Sequence, residues 1–213
     1  MSNDARAQQL LERARAWAGR AVVDVAAVGN GKGGVGKSIE GALGLAPKGA
    51  DVDDPESGVE VKTLPFKING DGAPRVTAST FVTTASMSSL VHESWSTSRV
   101  KKKLSRVLFI PIEEGSQRIG SAFLYLPDDV DEALLRADWE DLSDLVARGL
   151  GFAITGRRGQ ALQLRPKAKN AQATQKATTV DGDHVDVRVQ GFYLRPRFTQ
   201  RLIDNRFGLQ PSP

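Results

Sequence analysis

The chain has 213 residues, 40% of them hydrophobic and 25% charged, enough to bury an ordinary core without disulfide staples. With no cysteine and only His92 and His184, thiol chemistry, cysteine-ligated zinc and histidine-rich metal sites are excluded, and any metal is expected to be a hard ion on carboxylates. The net charge of +4 gathers in Arg99, Lys101, Lys102, Lys103 and Arg106 and again after residue 157, a distribution suited to a polyanion.

The opening MSNDARAQQLLERARAW is charged throughout and reads as neither signal peptide nor anchor, so a cytoplasmic protein is expected. Leu10, Leu11, Ala14, Trp17 and Ala18 recur at helical spacing and predict a helix over 5–19 that Gly19 stops. Residues 29–38, GNGKGGVGKS, spell a phosphate-binding loop in which glycine N–H groups, Lys37 and Ser38 would hold a nucleotide. Such a loop must follow a buried parallel strand, for which 21–28 is the candidate, within a recurring strand-helix alternation. That alternation does not recur, and no apolar run ends in the second acidic motif, so an ATPase is the minority reading.

A second helix is expected from Gly36 through Leu43. Residues 59–68 alternate as a strand, Asn69-Gly70-Asp71-Gly72 marks a turn, and a returning strand over 75–84 completes a hairpin. Strands follow at 107–112 and 122–126, and then a long helix over 128–149 with Leu135, Trp139, Leu142 and Val146 on one stripe and acidic residues at its start. The polar stretch 167–186 is expected to be a mobile surface excursion between strands near 162–164 and 187–193.

The stretch Asp53-Asp54-Pro55-Glu56-Ser57-Gly58-Val59-Glu60-Val61-Lys62 carries the chemistry. On a strand Glu60 and Lys62 project to one face and Val59 and Val61 to the other, because side chains alternate with period two. With Asp53 arriving from the preceding loop, two carboxylates can share a divalent ion while Lys62 stands beside water and phosphate. That is the acid-x-lysine pattern of magnesium-dependent nucleases, although an isolated Glu-x-Lys is more often a surface ion pair worth about 0–1 kcal/mol.

The order of motifs goes further. Lys32-Gly33-x-x-Gly36, Glu40 on the next helix, Asp53 and Gly58-Val59-Glu60-Val61-Lys62-Thr63 follow one another. Beyond them come Trp95, the run from Lys103 to Pro111, Arg118-Ile119-Gly120, Asp138-Trp139, Leu164-Arg165-Pro166-Lys167 and Gly191-Phe192-Tyr193 with Arg197-Phe198. This succession, over nearly the whole chain, resembles the MutH family of DNA mismatch-repair nicking endonucleases and related type II restriction endonucleases.

The resemblance implies a mixed α/β, restriction-endonuclease-like core sheet flanked by helices. It also implies two lobes forming a DNA cleft, with the acidic site in about 1–95 and the DNA-reading residues in 96–213. Asp53 and Glu60 would hold Mg2+, with Mn2+ able to substitute; Lys62 would orient water and stabilise charge, Glu40 would complete the acidic cluster and Lys103 would add a cation. Asp54 stands where the family usually has an apolar residue and is the alternative ligand, the spacing to Glu60 favouring Asp53. Lys32 and Gly33 would lie near the DNA backbone, and the nucleotide-loop spelling would be coincidental, with 22–28 a short helix. Arg165, Pro166, Lys167 and Tyr193 would read a GATC site and sense adenine methylation, Arg gripping guanine by two hydrogen bonds. Lys101, Lys102, Arg195 and Arg197 would contact phosphates. The implied partners are double-stranded DNA and a MutL-like ATPase, the protein acting as a monomer or a transient dimer. A restriction enzyme cutting both strands unaided is the alternative, followed by a DNA-binding module without catalysis and, remotely, the ATPase.

Overall fold

The Ser2 hydroxyl accepts the Ala5 N–H at 3.2 Å and starts helix α1 (Asn3–Arg15) in the computed structural model, which describes residues 2–27, 34–45, 51–150, 154, 156–167, 174–178 and 181–209. Asp4 lies in its first turn and Arg13 and Arg15 in its last, each favourable to the helix dipole, and the chain leaves through Gly19 at φ +82°. Val22–Asp24 is a single 3-10 turn, not the strand a nucleotide loop would need. Helix α2 (Gly34–Ala42) follows, and Ser38 donates its hydroxyl to the carbonyls of Ala27 and Gly34 at 2.7 and 2.8 Å.

Four strands form the main sheet: β1 (Glu60–Ile68), β2 (Pro74–Val76), β4 (Val107–Glu113) and β5 (Phe123–Tyr125), in the order β2-β1-β4-β5, while β3 (Thr80–Ala85) lies elsewhere. β1 and β4 are parallel, and the two outer pairs are antiparallel. The unbroken apolar run of β4 is buried on both faces, as a central strand requires. On one face Val61, Leu108, Ile110 and Ile112 pack with Leu10, Leu11 and Ala14 of α1 and Ile39 of α2. Phe109 stacks near Phe123 and Tyr125, and Phe123 meets Phe207 of helix α6 (Pro196–Phe207) edge-on at 6.1 Å.

The expected hairpin over 59–84 is only half formed. β2 returns along β1 for three residues, pairing Phe66 with Val76, and the strand then breaks. β3 instead edges a second sheet of order β3-β9-β6, with β6 (Leu162–Pro166) antiparallel to β9 (Gln190–Leu194). The surface excursion expected over 167–186 contains regular structure that its polar sequence does not announce. Thr174–Thr178 (β7) and His184–Arg188 (β8) form an antiparallel pair, while 168–173, 179 and 180 lie outside the described residues.

Helices α3 (Met87–Leu90) and α4 (Arg99–Leu104) and a 3-10 turn at Trp95–Thr97 precede β4. Helix α5 (Asp129–Ala147) is capped by Asp128, which accepts the Asp131 N–H at 2.8 Å. The chain divides into two compact units. One comprises Met1–Thr80, Lys103–Leu126 and Thr199–Pro213, with the mixed sheet; the other comprises Phe81–Lys102 and Pro127–Phe198. This is the mixed α/β architecture, a core sheet flanked by helices, expected from the sequence.

Candidate active site

The first residue of β1 is the centre of the site. Glu60 is 1% exposed, and its N–H donates to the Arg106 carbonyl at 2.9 Å, which seats β1 against the start of β4. A carboxylate this deep needs partners, and it has two ammonium groups. Lys62 reaches Glu60 Oε1 from the same face of β1, two residues on. Lys103 reaches Oε1 and Oε2 at 2.8 and 2.7 Å. The parallel register explains that meeting, because Glu60 lies opposite Val107 and α4 delivers Lys103 four residues ahead of it.

The loop before β1 gives its two aspartates different surroundings. Asp53 is half-buried and its Oδ2 accepts the Val61 N–H at 2.9 Å, tying it to the strand that carries Glu60. Asp54 is 4% exposed and faces Arg6 of α1, whose Nε lies 3.2 Å from Oδ2. It also accepts the Ser57 hydroxyl. Asp54 raises the Arg6 guanidinium further above its ordinary value, through the hydrogen bond first and its charge second.

Glu40 of α2 is electrostatically joined to this group. Its carboxyl is pushed above the usual glutamate range by burial and then by the charge of Asp53; Lys62 opposes, Glu60 adds and Lys103 opposes. Clustered carboxylates are hard oxygen donors whose repulsion a divalent cation relieves, so the donor chemistry fits such an ion. Among the described residues no group of three carboxylate or histidine side chains stands ready to hold one.

In the other unit the side chains singled out on β6 and β9 also come together. Gln163 lies opposite Tyr193 in the register, with Arg165 two residues further along β6. The Arg165 guanidinium carbon lies 5.8 Å from the Tyr193 ring centroid, and Phe81 of β3 meets that ring edge-on at 5.3 Å. Lys167 sits 4.7 Å over Phe81 and donates to the Thr84 hydroxyl at 2.6 Å. Pro166 is exposed at the end of β6. Burial raises the Tyr193 hydroxyl above its ordinary pKa, with Arg165 opposing, so it remains a hydrogen-bond donor at neutral pH.

Residues 47–138 match the model of the family described as DNA mismatch repair enzyme MutH. The chain is 38% identical to the DNA mismatch repair protein MutH of Serratia proteamaculans, over 94% of this chain and 93% of that protein. It is 36% identical to the protein of that name from Vibrio vulnificus, over 93% of each, and 37% identical to that of Shewanella baltica, over 94% and 95%. The chain belongs to the MutH family.

Within this MutH-family chain, the cations assigned to phosphate are placed differently from one another. Lys101 pairs with Glu132 at 2.9 Å, and Glu132 also accepts the Trp95 indole N–H at 2.7 Å. Burial raises the Glu132 carboxyl, but those hydrogen bonds, Lys101's first, outweigh it and the net shift is downward. Arg195 donates to the carbonyls of Gly156 and Arg158, and Arg197 to those of Gln160 and Gly159. Lys102 is exposed on α4. Lys32 and Gly33 lie outside the described residues.

Two residues of these neighbourhoods escaped the sequence reading, Phe81 and Arg6. Phe81 sits on a strand expected in another sheet. Arg6 looks like any exposed helical arginine until the fold brings Asp54 to it, 48 positions away.

Proposed function

We propose that this protein is a magnesium-dependent endonuclease of mismatch repair that nicks the unmethylated strand of duplex DNA at hemimethylated GATC sites. The observation that carries the reading is the meeting of Glu60, Lys62 and Lys103 at the start of β1, with Asp53 tied to the same strand. Asp53 and Glu60 would hold the ion, with Glu40 completing the acidic cluster, and Mn2+ would substitute for Mg2+. When bound, the ion acidifies water and supplies positive charge to the scissile phosphate. Lys62 keeps its ammonium beside Glu60 and stabilises charge that develops on the phosphate oxygens, while Lys103 holds the Glu60 carboxylate in place. The product carries a 5′-phosphate.

Arg165, Pro166, Lys167 and Tyr193 read the bases in this proposal, and a tyrosine packed against adenine N6 leaves no room for an added methyl. Lys32, Gly33 and Lys102 contact the backbone from their own segments. Lys101, Arg195 and Arg197 act on DNA only as far as their internal pairings yield. The protein acts as a monomer or transient dimer recruited by a MutL-like ATPase. No helix among the described residues is long and apolar enough to cross a membrane. The setting proposed is the cytoplasm, in association with the nucleoid.

A plasmid carrying unmethylated, hemimethylated or fully methylated GATC sites, incubated with the purified chain and Mg2+ alone, tests the reading. Slow nicking confined to unmethylated strands, accelerated by a MutL-like protein, is expected. Prompt linearisation without a partner would make the protein a restriction enzyme, and cutting insensitive to methylation would remove the assigned role of Tyr193.

A further inference from the structure

Asp53 and Asp54 are neighbours with opposite surroundings. Asp53 turns its carboxylate to the β1 backbone beside the acidic cluster, whereas Asp54 is buried against Arg6, which the exposed Glu56 also approaches at 3.7 Å. The loop that carries both is closed by its own backbone. The Asp54 N–H donates to the Val59 carbonyl at 2.9 Å, and the Asp54 carbonyl accepts the Gly58 N–H at 2.9 Å, with Gly58 at φ +71°. Side chains then tie this closed loop to the rest of its unit. Arg6 grips Asp54 from α1, and Arg106, next to β4, donates to the Ser57 carbonyl at 3.1 Å and to Asp4 of α1 at 2.7 Å. Both carboxylates assigned to the metal are thus set by one short loop pinned from α1 and from β4.

We infer that Arg6 and Asp54 are a positioning pair that fixes the loop so that Asp53 and Glu60 present their carboxylates to one divalent ion. The inference rests on the metal site proposed above. In this reading Asp54 serves the loop and Asp53 the ion, because Arg6 and the Ser57 hydroxyl take up the Asp54 carboxylate while Asp53 is tied to β1. Its charge is needed all the same. A buried carboxylate without Arg6 would repel the two ligand carboxylates, and a neutral residue in its place would remove the tie to α1 and leave the loop to its backbone bonds and Arg106. Partners that orient metal ligands commonly change metal affinity by about 10–100-fold when removed.

The test is Mn2+ binding to the full chain without DNA, read from the electron paramagnetic resonance of the free ion, beside the Mg2+ dependence of plasmid nicking. Arg6→Gln changes a side chain that is 32% exposed and should fold normally. It is expected to weaken Mn2+ binding about tenfold and to raise by a similar factor the Mg2+ needed for half-maximal nicking, with the rate recovering as Mg2+ is raised. Arg6→Lys, which keeps the charge and loses the fork, should recover part of the binding. Asp54→Asn should resemble Arg6→Gln, and the double variant should be no worse than either alone. Asp53→Asn serves as the control for the site itself and should abolish Mn2+ binding. If Asp53→Asn abolishes it while Arg6→Gln and Asp54→Asn bind normally, the positioning role is overturned and the metal site stands. If Asp53→Asn binds normally, the metal site is overturned, and loss in Asp54→Asn would then make Asp54 the ligand.

Discussion

The Lys103 ammonium lies 2.8 and 2.7 Å from the two oxygens of the Glu60 carboxylate, although 43 residues separate them in the chain. Lys62 shares that carboxylate, so one buried anion is held by cations from two elements. Removing Lys103 leaves Glu60 with a single ammonium and free to rotate toward it. Lys103→Met is expected to slow nicking by about 10²-fold, the usual cost of losing one preorganised charge partner. DNA binding measured in Ca2+ should stay close to that of the parent. A rate within twofold of the parent would show that Lys62 alone holds the site.

Glu60→Ala and Lys62→Ala act on the centre itself. Glu60→Ala removes an assigned ligand and leaves Lys62 and Lys103 as two buried ammonium groups without their counter-charge, whereas Lys62→Ala leaves the carboxylate to Lys103. Both variants are expected to abolish cleavage and to retain binding of a GATC duplex in Ca2+, read by gel shift. Parent-like cutting by either one would remove the site assignment.

Much of this arrangement was legible before any coordinates. Period-two alternation placed Glu60 and Lys62 on one face, and the apolar run 107–112 marked the central strand. The helix over 128–149 followed from its stripe and its acidic start. Glu40 and Lys103 came only from resemblance, because each lies on a helix with no local sign that it faces a carboxylate far along the chain. The errors have the same origin. Nothing in Thr77-Ala78-Ser79 announces that the strand over 75–84 divides between two sheets, since sheet membership is decided by partners such as β9. β7 carries no strand signal because its residues are polar, and its order comes from backbone pairing with β8. Arg6 could not be linked to Asp54 without the fold.

Glu40 makes the metal-free protein less stable as pH rises through the glutamate range. Its folded carboxyl titrates above its unfolded value, through burial and the charge of Asp53, so the ionised form is penalised in the folded metal-free protein. Below the unfolded pKa both states are protonated and there is no penalty; the penalty grows as pH rises and is complete above the folded pKa. Glu40→Gln is therefore expected to raise the melting temperature of the metal-free protein at neutral pH, the gain vanishing as pH falls through the glutamate range. Mg2+ should reverse the order by stabilising the parent more than the variant. An equal melting temperature at neutral pH without metal would show that the surrounding lysines already cancel the penalty.

The Tyr193 ring is held between the Phe81 edge and the Arg165 guanidinium. Arg165→Ala removes a guanidinium able to grip guanine and a neighbour of that ring. It is expected to weaken specific binding by about 1–3 kcal/mol while leaving non-specific binding nearly unchanged. Phe81→Leu keeps bulk against Gly191 but loses the flat edge, so Tyr193 should gain freedom and the preference for unmethylated over methylated strands should fall. Competition gel shifts with methylated and unmethylated duplexes separate these effects. Unchanged discrimination in Phe81→Leu would mean that backbone, not Phe81, sets the ring.

Asp138 offers a stability test away from the acidic site. It is buried in α5, and its carboxylate accepts the N–H groups of Gln160 and Leu162 at 2.8 Å and that of Ala161 between them. Those donors belong to the turn that enters β6, where Gly159 sits at φ +85° and any Cβ would strike the Leu162 carbonyl. Arg195 and Arg197 hold the carbonyls of the same turn, so both polarities of its backbone are satisfied by side chains. Asp138→Ala leaves several buried N–H groups unpaired at about 1–3 kcal/mol each, and a loss of about 3 kcal/mol or more in urea unfolding is expected. Arg165 lies three residues beyond Leu162 on the strand this turn feeds, so specific DNA binding should weaken in the folded variant as well. A loss below 1 kcal/mol would show that water replaces the carboxylate and that the turn is not set by Asp138.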